Sequence, residues 1–210
     1  MIHGYHVILP MYGFWLPNDP RGSWSSYVGS WELLRFGRTT RTLDQRRLDQ
    51  LTPEELASRD AARQTLKFPP VSLSGQQALS IGLGFGEQVR TSGLTIWACS
   101  ILPEHTHLVI ARHRYSVEQV VNLLKGAATR RLIEGGLHPL ARFAESGKTP
   151  HVWATGLWKS FLDTNIAIEN AINYVLENPT KEGKPEQRWS FVSGFSGVDS
   201  TGPTTYGHPE

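Results

Sequence analysis

Two short stretches of this 210-residue chain hold residue types that do chemistry together. The first is Pro103-Glu104-His105-Thr106-His107-Leu108, between Ile101 and Ile110. Its apolar, β-branched surroundings read as a strand, and in a strand residues two apart point to one face. His105 and His107 then project side by side, close enough for two imidazoles to share one cation. Two histidines are an incomplete metal site, and a chance pair on a strand surface fits the same pattern. The second stretch is Tyr174-Val175-Leu176-Glu177-Asn178-Pro179. Ile168, Ala171, Ile172 and Val175 recur at helical spacing, so Asn165 to Asn178 reads as a helix ended by Pro179. Tyr174 and Asn178 are four apart and stand one above the other, about 100° from the middle of the apolar stripe. From that edge a side chain reaches a cleft. The asparagine carbonyl is a hard oxygen donor suited to Mg²⁺ or Mn²⁺, and a tyrosine one turn away would stand beside the same ion. A half-buried tyrosine and a capping asparagine before proline account for the same residues without chemistry.

The elements that must position these residues follow from periodicity and punctuation. Tyr5 to Leu9 reads as a strand running on towards Trp15, broken by the prolines and glycine of Leu16-Pro17-Asn18-Asp19-Pro20-Arg21-Gly22. Residues 23–71 are polar and irregular, with one short helix opening at Thr52-Pro53-Glu54-Glu55. Ser74 to Arg90 reads as a helix weakened by Gly82, Gly84 and Gly86, each costing about 1 kcal/mol against alanine. Leu94 to Ile101 and His105 to Ala111 are strands joined by Leu102-Pro103-Glu104. Ser116 to Glu134 is a helix with a capping box at Ser116 and Gln119, closed by Gly135-Gly136. After a loop, Leu157 to Leu162 forms a strand that leads into the last helix. Apart from that last helix, the order is ferredoxin-like: an α+β fold whose antiparallel sheet carries two helices on one face. The expected organisation is one domain over 1–183, with an irregular insertion at 23–71, and a partly mobile C-terminal extension over 184–210.

The formal charge of +2 and pI near 8.8 permit a nucleic-acid partner without demanding one. The clustering says more. Lys125, Arg130 and Arg131 share a helix away from its apolar stripe, and Arg35, Arg38, Arg41, Arg46 and Arg47 crowd the insertion. Arginine suits phosphate because its fork donates two hydrogen bonds. Trp158 is placed to stack on an unpaired base and Lys159 to meet phosphate; a core tryptophan and a solvated basic face explain them as well. Cys99 is the only cysteine, which fits a reducing compartment. No apolar run approaches the roughly 20 residues a membrane helix needs, and the opening lacks a secretory pattern. A cytoplasmic, bacterial protein without a membrane partner is expected.

Taken together, the motifs resemble the single-tyrosine HUH transposases of bacterial insertion sequences, and most closely the REP-associated tyrosine transposases. The resemblance is carried by Pro103-Glu104-His105-Thr106-His107-Leu108, by Trp158-Lys159, and by Tyr174-Val175-Leu176-Glu177-Asn178-Pro179. The opening Trp15-Leu16-Pro17-Asn18-Asp19-Pro20-Arg21-Gly22 is similar to that of one subgroup, with Asn18 where a glycine is expected. Thr106 is smaller than the usual bulky residue between the histidines.

The resemblance implies a ferredoxin-like catalytic domain with a C-terminal catalytic helix. It implies a divalent cation, Mg²⁺ or Mn²⁺, on His105, His107 and Asn178, with Tyr174 as nucleophile. It also implies single-stranded or hairpin DNA as partner, and action as a monomer or homodimer. The chemistry would be cleavage at or near a hairpin through a 5′-phosphotyrosine intermediate, serving DNA transposition or processing of repeated palindromic elements. A free phenol ionises near pH ~10, so the nucleophile sheds its proton during attack, and no general base stands out in the sequence. The alternative is a catalytically silent hairpin-binding protein of the same fold.

Overall fold

The computed structural model describes residues 1–23, 27–40, 46 and 48–198. Arg41 and Arg47 of the basic insertion, and the tail from residue 199, lie outside the described residues. Four strands form one antiparallel sheet: β1 (Gly4–Pro10), β2 (Ile96–Ile101), β3 (His105–Ala111) and β4 (Trp158–Leu162). Their order is β2-β3-β1-β4, the ferredoxin-like arrangement expected. The helices are α1 (Trp31–Leu34), α2 (Pro53–Gln64), α3 (Gly75–Ser92), α4 (Val117–Glu134) and α5 (Asn165–Lys181). Thr52, Ser74 and Ser116 open α2, α3 and α4 with reciprocal capping boxes to Glu55, Gln77 and Gln119, which satisfies amides that a helix start leaves bare. Among the described residues no helix is long and apolar enough to cross a membrane.

Strand alternation divides the core. Val7 and Leu9 of β1, with Leu108 and Ile110 of β3, pack with Ile81 and Phe85 of α3 and Val120, Val121 and Leu124 of α4. The opposite sheet face carries Val109 and Ala111, against which α5 lays Ile168, Ala171 and Val175. Two helices thus cover one face and α5 covers part of the other.

Three expectations are refined. The glycines of α3 do not interrupt it; the helix is continuous for 18 residues. A Cβ on Gly84 would stand 2.8 Å from the Ala128 Cα, and one on Gly82 would stand 2.1 Å from the Trp189 ring. Their low helix propensity is therefore offset by close approach of α4 and of the indole. The last helix does not stop at Asn178 but runs to Lys181 with Pro179 inside it. Pro179 removes only one helical amide, and the Glu182 amide still bonds the Asn178 carbonyl at 3.2 Å. The extension after 183 is docked as far as residue 198. Gln187 exchanges two hydrogen bonds of 2.8 Å with the Ile101 backbone. Ser193 N donates to the Ile96 carbonyl at 2.8 Å, and Phe195 packs edge-on to Trp97. This segment covers the β2 edge, which would otherwise offer unpaired backbone groups.

Gly84→Ala should lower stability by about 1–3 kcal/mol through overpacking against backbone. Gly126→Ala in α4 meets only the tip of Arg130 at 3.5 Å, and should raise stability by up to about 1 kcal/mol. Urea unfolding of the two variants checks this; equal effects of one sign would contradict the close α3–α4 approach.

Candidate functional site

On β3, His105 and His107 share the α5 face with Val109 and Ala111, as period-two alternation requires. Their ring centroids are 4.8 Å apart. On β1, His6 pairs in register with Val109, which sets it diagonally across from His107. His6 Nε2 and His107 Nδ1 are 3.0 Å apart. Trp158 of β4 stands edge-on to the His6 ring at 5.4 Å. Above the sheet, the Tyr174 ring lies 5.7 Å from His6 and 5.6 Å from His107. Eight residues after Tyr174, at the C-cap of α5, Glu182 Oε1 is 3.8 Å from His105 Nε2. Tyr174, Asn178 and Glu182 follow at four-residue steps, so buried Asn178 sits in the row between the two contacts.

The wall beside His105 is Phe14, stacked on it at 5.1 Å and 9°. Arg21 lies over both Phe14 and Trp15. Asp19 accepts from Arg21 Nε and Nη2 at 2.8 Å each and from Arg59 Nε at 3.2 Å. Burial alone would raise the Asp19 carboxyl, but the Arg21 hydrogen bonds and charge, with Arg59, hold it below the usual carboxylate range. Asn18 has no positive φ, so the turn does not need the glycine expected there; its side chain instead donates to the Leu33 carbonyl at 2.9 Å.

Burial pushes the His6 imidazole down to about 4. Burial, helped by the Arg21 charge, does the same to His105. His107 falls to about 2 through burial, with His105 and His6 adding to it. All three are neutral at neutral pH, the state in which an imidazole has a lone pair for a metal. Burial and Glu104 raise the Glu182 carboxyl while Lys184 opposes them. Among the described residues no three His, Cys, Asp or Glu side chains converge to hold a cation. The Asn178 amide is the candidate for a third donor beside His105 and His107. The amide fits: it is buried and its Nδ2 has no hydrogen-bond partner, and a half-turn about its last torsion exchanges nitrogen and oxygen. His105 Nδ1 is likewise buried and unpartnered.

The structure brings His105, His107, Tyr174 and Trp158 together around His6, and Asn178 is buried one turn after Tyr174 on the same helix. The fold places the expected cations elsewhere. Lys125 Nζ donates to the Ala154 and Gly156 carbonyls at 3.1 and 2.7 Å, tying down the loop before β4; burial lowers it to about 8. Lys159 pairs with Glu118 of α4. Arg131 lies 3.8 Å from Glu87 and 4.0 Å from Glu134, and Arg130 is exposed. All three α4 cations ride on the helix that covers the other sheet face. Sequence reasoning missed His6, Phe14, Glu182 and Lys181, whose Nζ lies 5.4 Å from the centre of the Tyr174 ring. The signal for His6 was its place on β1 opposite the Val7 and Leu9 face, combined with the β1–β3 pairing of a ferredoxin-like sheet.

These buried histidines make stability depend on pH in a defined window. Unfolded imidazoles titrate near ~6.5 and His6 here near 4, so between those values the unfolded chain binds more protons. Stability is full above about pH 6.5 and is lost as pH falls towards 4; for His6 alone the shift corresponds to about 3 kcal/mol. Asp19, held low, adds its own loss only further down. Urea midpoints should fall steadily across this window, and a flat profile would contradict three buried neutral rings.

No protein-family model and no curated protein matches the chain. Solved structures similar in shape include the following two. One is a REP-associated tyrosine transposase bound to a REP hairpin, 12% identical, covering 99% of this chain and 92% of that one, with a TM-score of 0.46. The other is a Deinococcus radiodurans protein whose transposase assignment is provisional, 13% identical, covering 85% and 91%, with a TM-score of 0.39. Identities this low, with TM-scores below 0.5, carry no functional inference.

Proposed function

We propose that this chain is a metal-dependent single-stranded DNA endonuclease and strand transferase with Tyr174 as its nucleophile. The observation that carries the reading is the Tyr174 ring packed against His6 and His107, with buried Asn178 next in its row. His105, His107 and Asn178 would hold the cation, Mg²⁺ or Mn²⁺. Such a cation offsets the charge that develops on phosphate oxygens during displacement.

The other roles fall to the chain. Tyr174 is 44% exposed while its ring packs on the His6 and His107 imidazoles. Its oxygen attacks phosphorus; the Oη–P bond forms as the P–O3′ bond breaks. The phenolic proton passes to solvent, and the leaving 3′ oxygen takes a proton from solvent. The product is a 5′-phosphotyrosine and a free 3′-hydroxyl, and attack by a DNA 3′-hydroxyl reverses the step without ATP. Packing of α5 keeps the oxygen in place for in-line attack. Trp158, edge-on to His6, would stack on an unpaired base. Lys181, 5.4 Å from the centre of the Tyr174 ring and paired with Glu177 at 2.8 Å, would have to exchange that partner to meet a phosphate. The hairpin preference rests on the motif resemblance.

On an oligonucleotide with a hairpin and a single-stranded flank, Tyr174→Phe should bind within about twofold of wild type while cleavage drops by more than about 1000-fold. Undiminished cleavage would instead mean hydrolysis by water. Asn178→Ala should weaken Mn²⁺ binding at least about 10-fold, read by electron paramagnetic resonance; unchanged affinity would remove Asn178 from the ligand set.

A further inference from the structure

The proposed chemistry gives His6 no part beyond packing on the Tyr174 ring, although it sits at the centre of the aromatic cluster. It is 9% exposed, and its neighbours hold it from several sides. Trp158 stands edge-on to the ring at 81° and Tyr174 crosses it at 62°. Its ring nearly parallels His107, 23° off, with His6 Nε2 at 3.0 Å from His107 Nδ1. A single proton lies between two neutral ring nitrogens that share a hydrogen bond, and its side decides what the far nitrogens can do.

With Nδ1 engaged by His6, His107 has only Nε2 left to offer a cation. A neutral imidazole with its lone pair on Nε2 carries its proton on Nδ1. That proton points at His6 Nε2, which must then be the acceptor. In the opposite arrangement His6 donates, His107 carries its proton on Nε2, and no lone pair is available there. We infer that His6 is a positioning residue: it accepts from His107 Nδ1–H and fixes the tautomer that leaves His107 Nε2 free to bind a divalent cation. This rests on the proposed role of His107 as a ligand. His6 touches neither cation nor DNA in this role. Like other partners behind metal-bound histidines, it orients the ring and sets which nitrogen is basic.

The decisive measurement needs no metal. Long-range ¹H–¹⁵N correlation of the full-length, metal-free protein reads which His107 nitrogen carries the proton. The expected result is the Nδ1–H form in wild type. In His6→Phe, which keeps ring bulk but removes the acceptor, that form should lose its dominance and Mn²⁺ affinity should fall about 10–100-fold. In His6→Gln, whose side-chain oxygen can accept in place of Nε2, both should recover to within a few-fold. A wild-type His107 protonated on Nε2, or a His6→Phe variant with unaltered tautomer and Mn²⁺ affinity, overturns the inference. Failure of the metal reading looks different: the Nδ1–H form is present but wild type binds no Mn²⁺.

Discussion

Ile168 and Val175, both fully buried, seat α5 on the open face of the sheet against Trp97, Ala98, Val109 and Ala111. Burying two such side chains contributes roughly 3–6 kcal/mol, a large part of the roughly 5–15 kcal/mol that stabilises a typical domain. The helix is thereby a fixed part of the fold rather than a flap. Its phase follows from the same contacts. With Ile168, Ala171 and Val175 turned down onto β2 and β3, the row Tyr174, Asn178 and Glu182 must lie over the first residues of β3 and the middle of β1. Those are the positions of His105, His107 and His6.

The surroundings keep the imidazoles neutral and orderly. Phe14 closes one side of His105, and Arg21 behind it would be a costly buried charge without Asp19, which is only 2% exposed. Arg59, from α2, completes the cluster. The Leu16 to Gly22 turn and part of the insertion thereby hold an aromatic wall against the site. In the proposed reading the three ligands are neutral and bring no charge of their own to the cation. A DNA phosphate then supplies the compensating charge, so cation and substrate favour each other's binding.

What could be read in the sequence was what depends on local period. Alternation placed His105 and His107 on one face, and four-residue spacing stacked Tyr174 on Asn178. Capping residues located α2 and α4, and element order led to the ferredoxin-like sheet. What could not be read depends on distant partners. His6 joins the site only through the pairing of β1 with β3. Glu182 reaches His105 because α5 passes through Pro179, where a local rule ends the helix. The glycines of α3 look like defects until Ala128 and Trp189 are seen against them. Lys125 looks like a cation for phosphate until the Ala154 and Gly156 carbonyls are found around it.

The central claim is that Tyr174 becomes covalently joined to DNA. Incubating the wild-type protein with Mn²⁺ and a hairpin-flanked single strand, then denaturing, digesting and weighing the peptides, tests it most directly. The account predicts a nucleotide linked through its 5′-phosphate to the peptide that contains Tyr174. An adduct on Tyr5, Tyr12, Tyr115 or any other residue, or cleaved DNA with no adduct at all, would contradict it.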